Sequence, residues 1–195
     1  MTGRPLIYLV GYRGSGKTTV GKALGPKLGW AFVDADALLE QRAGQTIREI
    51  FAAEGEAGFR DREAAILQEL SQSSRTVVAT GGGVILREEN RDCLTRSGFV
   101  AWLSADAATL WPRIQGDAST AARRPNLTVG GLAEVEHLLA VREPLYRRVA
   151  DLEIPVAELS PEQAADAILA AWTSPSPKPS GSSSSSSSAS SSGAS

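Results

Sequence analysis

Apolar residues along this chain fall into two kinds of pattern that alternate. Five short, nearly continuous runs read as strands: residues 6–10, 30–34, 75–80, 99–103 and 152–156. Unbroken apolar runs of this length suit strands buried on both faces of a sheet. Between them lie longer stretches of helical character: residues 17–28, 37–43, 56–71, 87–97, 105–115 despite Pro112, and 132–149, which Pro144 should kink. Thr46-Ile47-Arg48-Glu49 is a capping box that opens one further helix, closing near Gly55. Ser160-Pro161-Glu162-Gln163 opens the last, with proline at its first position, and it ends near Trp172. Strands alternating with helices predict an α/β domain in three layers, with a parallel sheet at its centre.

Two segments fall outside this pattern. Residues 116–127 are polar, lack periodicity and carry Arg123 and Arg124. They read as a mobile loop of functional length, a lid that adds positive charge on closing. From Thr173 onward the chain holds only Ser, Pro, Gly, Ala, Thr and one Lys. Such a segment cannot bury a core, so the expected organisation is one domain over residues 1–172 and a disordered Ser-rich tail over 173–195.

The first strand runs into Gly11-Tyr12-Arg13-Gly14-Ser15-Gly16-Lys17-Thr18, and a helix follows. This fits G-x-x-x-x-G-K-[ST] in the strand–loop–helix context that a phosphate-cradling P-loop requires. Glycines let the backbone approach a polyphosphate, and the helix N-terminus turns its N–H groups and dipole toward the anion. The motif makes Gly14, Ser15, Gly16, Lys17, Thr18 and Thr19 the expected ATP-binding residues. Lys17 should reach the β- and γ-phosphates, and the Thr18 hydroxyl should sit on Mg²⁺.

Composition narrows the classes without adding one. Charged residues are 22% and the formal net charge is −2, so nothing points to a nucleic-acid or membrane surface. Cys93 is the only cysteine and His137 the only histidine, which excludes a disulfide framework and argues against His-based triads. Cys93 reads as core rather than nucleophile. No apolar run approaches the length of a membrane span, and the first strand begins too early to leave room for a signal peptide. The expectation is a cytoplasmic monomer.

Other chemistry gathers at strand ends. Asp34 closes the second strand and Asp36 follows two residues later, so both should face the crevice that the P-loop borders. Asp36 could instead simply cap the helix that follows. The third strand ends in Gly81-Gly82-Gly83 and lacks the acidic residue that many P-loop proteins carry there, which leaves Asp34 as the nearest candidate for Mg²⁺. Arg60 and Glu63 can pair across one turn of helix, and periodicity alone makes them a solvated pair.

Taken in order, these motifs resemble those of the shikimate kinase family over about residues 5 to 172. The resemblance rests on Gly11 to Thr18, Asp34-x-Asp36, Gly55-Glu56-x-x-Phe59-Arg60-x-x-Glu63, Gly81-Gly82-Gly83, Arg124-Pro125 and Arg142-x-Pro144-Leu145-Tyr146. It implies a fold like that of nucleoside monophosphate kinases, with strand order 2-3-1-4-5. The implied activity is transfer of the ATP γ-phosphoryl group to the 3-hydroxyl of shikimate, in aromatic amino-acid biosynthesis. By the same resemblance, Asp36 holds substrate hydroxyls and takes the proton, and Arg60 and Arg142 grip the substrate carboxylate. Gly81, Gly82 and Gly83 line the substrate. Asp34 orders the Mg²⁺ shell, directly or through water, and Arg113 stacks on adenine. Arg124 is the lid arginine. Here the chain reads Arg123-Arg124-Pro125-Asn126-Leu127 where the family more often has Arg-Pro-Leu, and the following proline favours Arg124 over Arg123.

Guanidinium forks suit a planar carboxylate. Lys17, Mg²⁺ and Arg124 suit a reaction that depends on positioning and charge neutralisation. Two other readings remain at this point: another small-molecule kinase of the same fold, such as a gluconate kinase, and a non-catalytic binding module. The first has no evident need for two arginines aimed at a carboxylate. The second should have lost catalytic positions, which this chain retains.

Overall fold

The computed structural model describes residues 4–116 and 131–174. Five strands form one sheet: β1 (Leu6–Val10), β2 (Ala31–Asp34), β3 (Thr76–Ala79), β4 (Phe99–Ser104) and β5 (Leu152–Pro155). All pairings are parallel and the order is β2-β3-β1-β4-β5, as the resemblance implied. The helices are α1 (Lys17–Leu28), α2 (Ala35–Ala43), α3 (Ile47–Ser71), α4 (Glu88–Ser97), α5 (Ala107–Gly116), α6 (Gly131–Val149) and α7 (Pro161–Thr173). A 3₁₀ turn, Val84–Leu86, precedes α4.

The central strand β1 is fully buried, and alternation divides its side chains between two cores. Leu6, Tyr8 and Val10 join Val78, Val100 and Trp102 on one face, under Leu39, Ile50, Leu94 and Tyr146 from the covering helices. Ile7 and Leu9 join Val77, Ala101 and Leu103 on the other, under Val20 and Leu24 of α1 and Ile168 of α7. Each fully buried aliphatic side chain contributes about 1.5–3 kcal/mol. Tyr8 puts a hydroxyl into the first core, where it meets Ser97 Oγ at 2.8 Å. Burial pushes its phenol up to about 12, against the lowering effect of that hydrogen bond. Cys93 is buried here too, as its sequence setting suggests, and His137 is exposed.

The helix that Thr46 opens ends at a non-helical break at Gly55 (φ 70°, ψ −171°) and a second helical run follows within α3, as the sequence suggests. Pro144 lies within α6. Asp36 is not a cap. The cap of α2 is Asp34, whose carboxylate accepts from the backbone N–H of Asp36 at 3.1 Å and of Ala37 at 3.2 Å. Asp36 lies in the first turn. The lid segment with Arg123 and Arg124, and the tail from residue 175, lie outside the described residues.

In this order, β1 is the point where successive connections diverge, to β2 and β3 on one side and to β4 and β5 on the other. Ligands of open α/β sheets bind at such a point, beyond the strand carboxyl ends. The P-loop leaves β1 there.

Candidate active site

The loop between β1 and α1 is held by its own backbone. Gly11 adopts φ +145°, and a Cβ on it would lie 2.6 Å from the Leu103 carbonyl oxygen of β4, so only glycine fits against the neighbouring strand. Gly16 is left-handed at φ 87° and forms the N-cap of α1 with no side-chain cap bond. That leaves the helix N-terminus without a side-chain cap, as an anion site requires. Lys17 is buried and folds back over the loop. Its Nζ donates to the carbonyls of Gly11 at 2.9 Å and Tyr12 at 2.8 Å.

A cavity of about 560 Å³ opens above this loop. Gly14 to Thr19 form its floor, with Asp34, Asp36, Thr80 and Gly82 along one side. Arg113 of α5 and Val156, Leu159 and Pro161 near the start of α7 form the other end. Arg113 is fixed by donating from Nη2 to the carbonyls of Val156 at 3.3 Å and Ala157 at 3.4 Å. Short sequence runs gave no signal for this apolar end, because its residues become neighbours only when β5 docks beside β4.

The Thr18 hydroxyl donates to Asp34 Oδ2 at 2.8 Å. A hydroxyl and a carboxylate at the floor of a phosphate cavity are hard oxygen donors of the kind Mg²⁺ takes, and they fit that ion. Among the described residues no cluster of three His, Cys, Asp or Glu could hold a metal. An ion at Thr18 and Asp34 would therefore complete its shell with phosphate oxygens and water, the usual arrangement for Mg²⁺ in kinases.

A second group lies beyond Gly82. Arg60 of α3 is buried, with a side chain 7% exposed, and donates from Nη1 to Glu63 Oε2 at 2.7 Å. Its Nε and Nη2 reach Glu56 Oε1 at 3.4 and 3.2 Å. The Arg60–Glu63 pair is thus not the solvated pair that periodicity alone suggests, because α3 turns this face inward. The guanidinium lies flat against Gly83, where a Cβ would be only 2.4 Å from Nη1 and 2.5 Å from Nη2. The glycine run exists in part to seat this arginine. Arg142 of α6 lies over the Tyr12 ring, 5.3 Å from its centroid. Tyr146, one helical turn on, donates its hydroxyl to the Gly82 carbonyl at 2.5 Å and stacks on Trp102. Tyr12, Glu56 and Tyr146 carry this second group, and none was singled out from sequence as a site residue. All three stood in quoted motifs, where none had a role.

The sheet order, the P-loop and the acid-lined cavity define a P-loop phosphotransferase. The shikimate kinase family profile matches residues 13–173. The shikimate kinase of Rhodopirellula baltica is 47% identical over 166 residues, covering 85% of this chain and 89% of the relative. That of Symbiobacterium thermophilum is 48% identical over 149 residues, covering 76% and 84%. The solved shikimate kinase from Acinetobacter baumannii in complex with shikimate superposes with a TM-score of 0.79 at 41% identity, covering 85% of this chain and 90% of that one. The chain belongs to the shikimate kinase family. It is a kinase, and ATP is its co-substrate. No helix among the described residues is long and apolar enough to cross a membrane.

Proposed function

We propose that this chain transfers the γ-phosphoryl group of ATP to the 3-hydroxyl of shikimate, and that its two halves divide the work. The P-loop floor holds the triphosphate. Lys17 leaves the carbonyls of Gly11 and Tyr12 for the β- and γ-phosphates, and the left-handed turn at Gly16 turns backbone N–H groups toward them. Thr18 and Asp34 hold Mg²⁺, which, when bound, neutralises charge on the phosphates. Arg113 borders the adenine end, and Arg124 of the lid adds charge over the phosphates.

At the acceptor end, Arg60 and Arg142 take the substrate carboxylate. Arg60 already has a buried partner in Glu63, which fixes the plane of its fork. Glu56, with a side chain 55% exposed, is the partner that can give way. Arg142 supplies the second positive charge. Gly81 to Gly83 let the substrate ring approach the backbone. Asp36, in the same cavity as the P-loop, orients the acceptor hydroxyl and takes its proton as the new O–P bond forms. This reading keeps the expectation of a cytoplasmic monomer, with residues 1–172 as the working domain and no nucleic-acid partner.

The observation that carries the reading is the buried Arg60 fork seated on Gly83, next to the glycine that borders the phosphate cavity. A rigid planar cation beside a phosphoryl donor suits an acceptor that bears a carboxylate. The test is ADP release by the purified protein with ATP and Mg²⁺. Release should depend on shikimate. Equal release with gluconate, or with no acceptor, would overturn it.

A further inference from the structure

One cation at this site has no role in the account above. Arg13 is the third residue of the P-loop, at a position where the motif accepts any side chain. It lines the same cavity as Lys17, Asp36 and Gly82. Its Nε is shielded from solvent and has no hydrogen-bond partner. It forms no ion pair with any described residue, whereas Arg60 and Arg87 on the same side of the sheet are both paired. A guanidinium donor that is shielded yet unpartnered costs free energy unless something else binds it.

Its place on the loop says what would bind it. A Cβ built on Gly82 would lie 3.4 Å from the Arg13 backbone nitrogen, so Arg13 stands where the P-loop meets the end of β3. On one side is the phosphate floor, and on the other are Gly82 and the Arg60 group. The migrating phosphoryl group must cross this junction. We propose that Arg13 binds the phosphoryl group on its acceptor side and holds it after transfer, acting as a second cation beside Lys17. This rests on the reading of the site as a shikimate-phosphorylating one. In the transfer, the bond between the β–γ bridging oxygen and the γ-phosphorus breaks. The bond from the acceptor oxygen to that phosphorus forms, and the acceptor proton passes to Asp36. Arg13 gives up no proton, because a guanidinium stays charged. It meets a group that carries close to two negative charges once it is a monoester. Before transfer the acceptor offers no such dianion. Arg13 therefore discriminates between phosphorylated and unphosphorylated acceptor, which Arg60 and Arg142 cannot do through the carboxylate that both forms share.

The experiment compares the wild type with Arg13→Met and Arg13→Lys. Calorimetry measures the affinity of each for shikimate and for shikimate 3-phosphate, and steady-state assays give kcat. Arg13→Met should bind shikimate as the wild type does and bind shikimate 3-phosphate at least about tenfold more weakly, the scale of one charge-assisted contact. Its kcat should fall about 10²-fold, as for loss of one preorganised donor in a transition state. Arg13→Lys, which keeps the charge without the fork, should recover part of both. Equal affinities of Arg13→Met and the wild type for the phosphorylated product would overturn the proposal. So would an equal loss for both ligands accompanied by a lower melting temperature, since that is a structural role. A wild type without shikimate-dependent turnover would overturn the underlying reading instead, so the two failures are distinguishable.

Discussion

The two ends of the site are built in opposite ways. The phosphate end is local: Lys17 is anchored by carbonyls five and six residues back, and Thr18 meets the carboxylate that caps the next helix. The acceptor end is assembled from distant parts. Arg60 comes from α3, Gly83 from the turn after β3, and Arg142 and Tyr146 from α6, with Tyr146 and Gly82 lying 64 residues apart in sequence. A local site can lose a chemical group while its scaffold stands. An assembled site cannot, because the same contacts position the substrate and pack the domain. Substitutions at the phosphate end should therefore separate activity from stability, and those at the acceptor end should couple them.

Lys17→Ala is the strongest test of the first half of that comparison. It removes the cation nearest the migrating group, so kcat should fall by about 10³-fold or more. Its bonds to the Gly11 and Tyr12 carbonyls lie within one loop, so their loss should change thermal denaturation little. A large drop in melting temperature would show that the loop is part of the load on the fold.

Asp36→Asn comes next. Capping of α2 belongs to Asp34, so an amide at position 36 leaves the cap intact. Stability should change by less than about 1 kcal/mol, the usual scale away from core and caps. Transfer to shikimate should fall by about 10²-fold, because an amide cannot accept the proton. Near-normal turnover would remove Asp36 from the proton path.

The same division explains what could be read from sequence. The P-loop, the acidic pair and the sheet class were legible because each depends on neighbours in the chain. Five apolar runs and their helices leave little choice of architecture. Asp36 was open to a second reading because strand alternation and helix onset meet at Ala35, and residue spacing does not say where one stops. The Arg60–Glu63 pair looked like surface charge because i, i+3 spacing says that two residues share a face, not which way the face turns. Its burial follows from Gly83, in contact with it from a different part of the chain. The partners of Arg113 at Val156 and Ala157 and the Tyr12–Arg142 contact depend likewise on how β5 and α6 dock.

Gly83→Ala tests the acceptor end directly. The new Cβ would fall 2.4 to 2.7 Å from three atoms of the Arg60 guanidinium, whose Nη1 is held by Glu63 at 2.7 Å. The fork must shift, and small displacements of a positioning group are costly. KM for shikimate should rise by about tenfold, with KM for ATP changed much less, and overpacking should lower stability by about 1–3 kcal/mol. Equal changes in both KM values would mean that the two ends are not separable.

The smallest effect is expected at Tyr146, where scaffold and site are hardest to tell apart. Its ring is fully buried and stacks on Trp102 with centroids 5.8 Å apart. Its hydroxyl donates to the carbonyl of Gly82, a residue that also borders the phosphate cavity. Tyr146→Phe keeps the ring and the stack and removes only that donor. The Gly82 carbonyl then loses a buried partner, a cost of about 1–2 kcal/mol and a lowering of the melting temperature by about 2–8 °C. The backbone of the glycine run is still held by β3 and by the 3₁₀ turn after it, where the Val84 N–H donates to the Gly81 carbonyl at 3.2 Å. KM for shikimate should therefore rise by less than about threefold, an effect below 1 kcal/mol. Thermal denaturation and steady-state kinetics on the one variant decide the matter. A stable variant with a strongly raised KM would make the tyrosine a positioning residue of the acceptor site, acting through Gly82. Lower stability with an almost unchanged KM would place it in the packing that the acceptor end inherits from the fold.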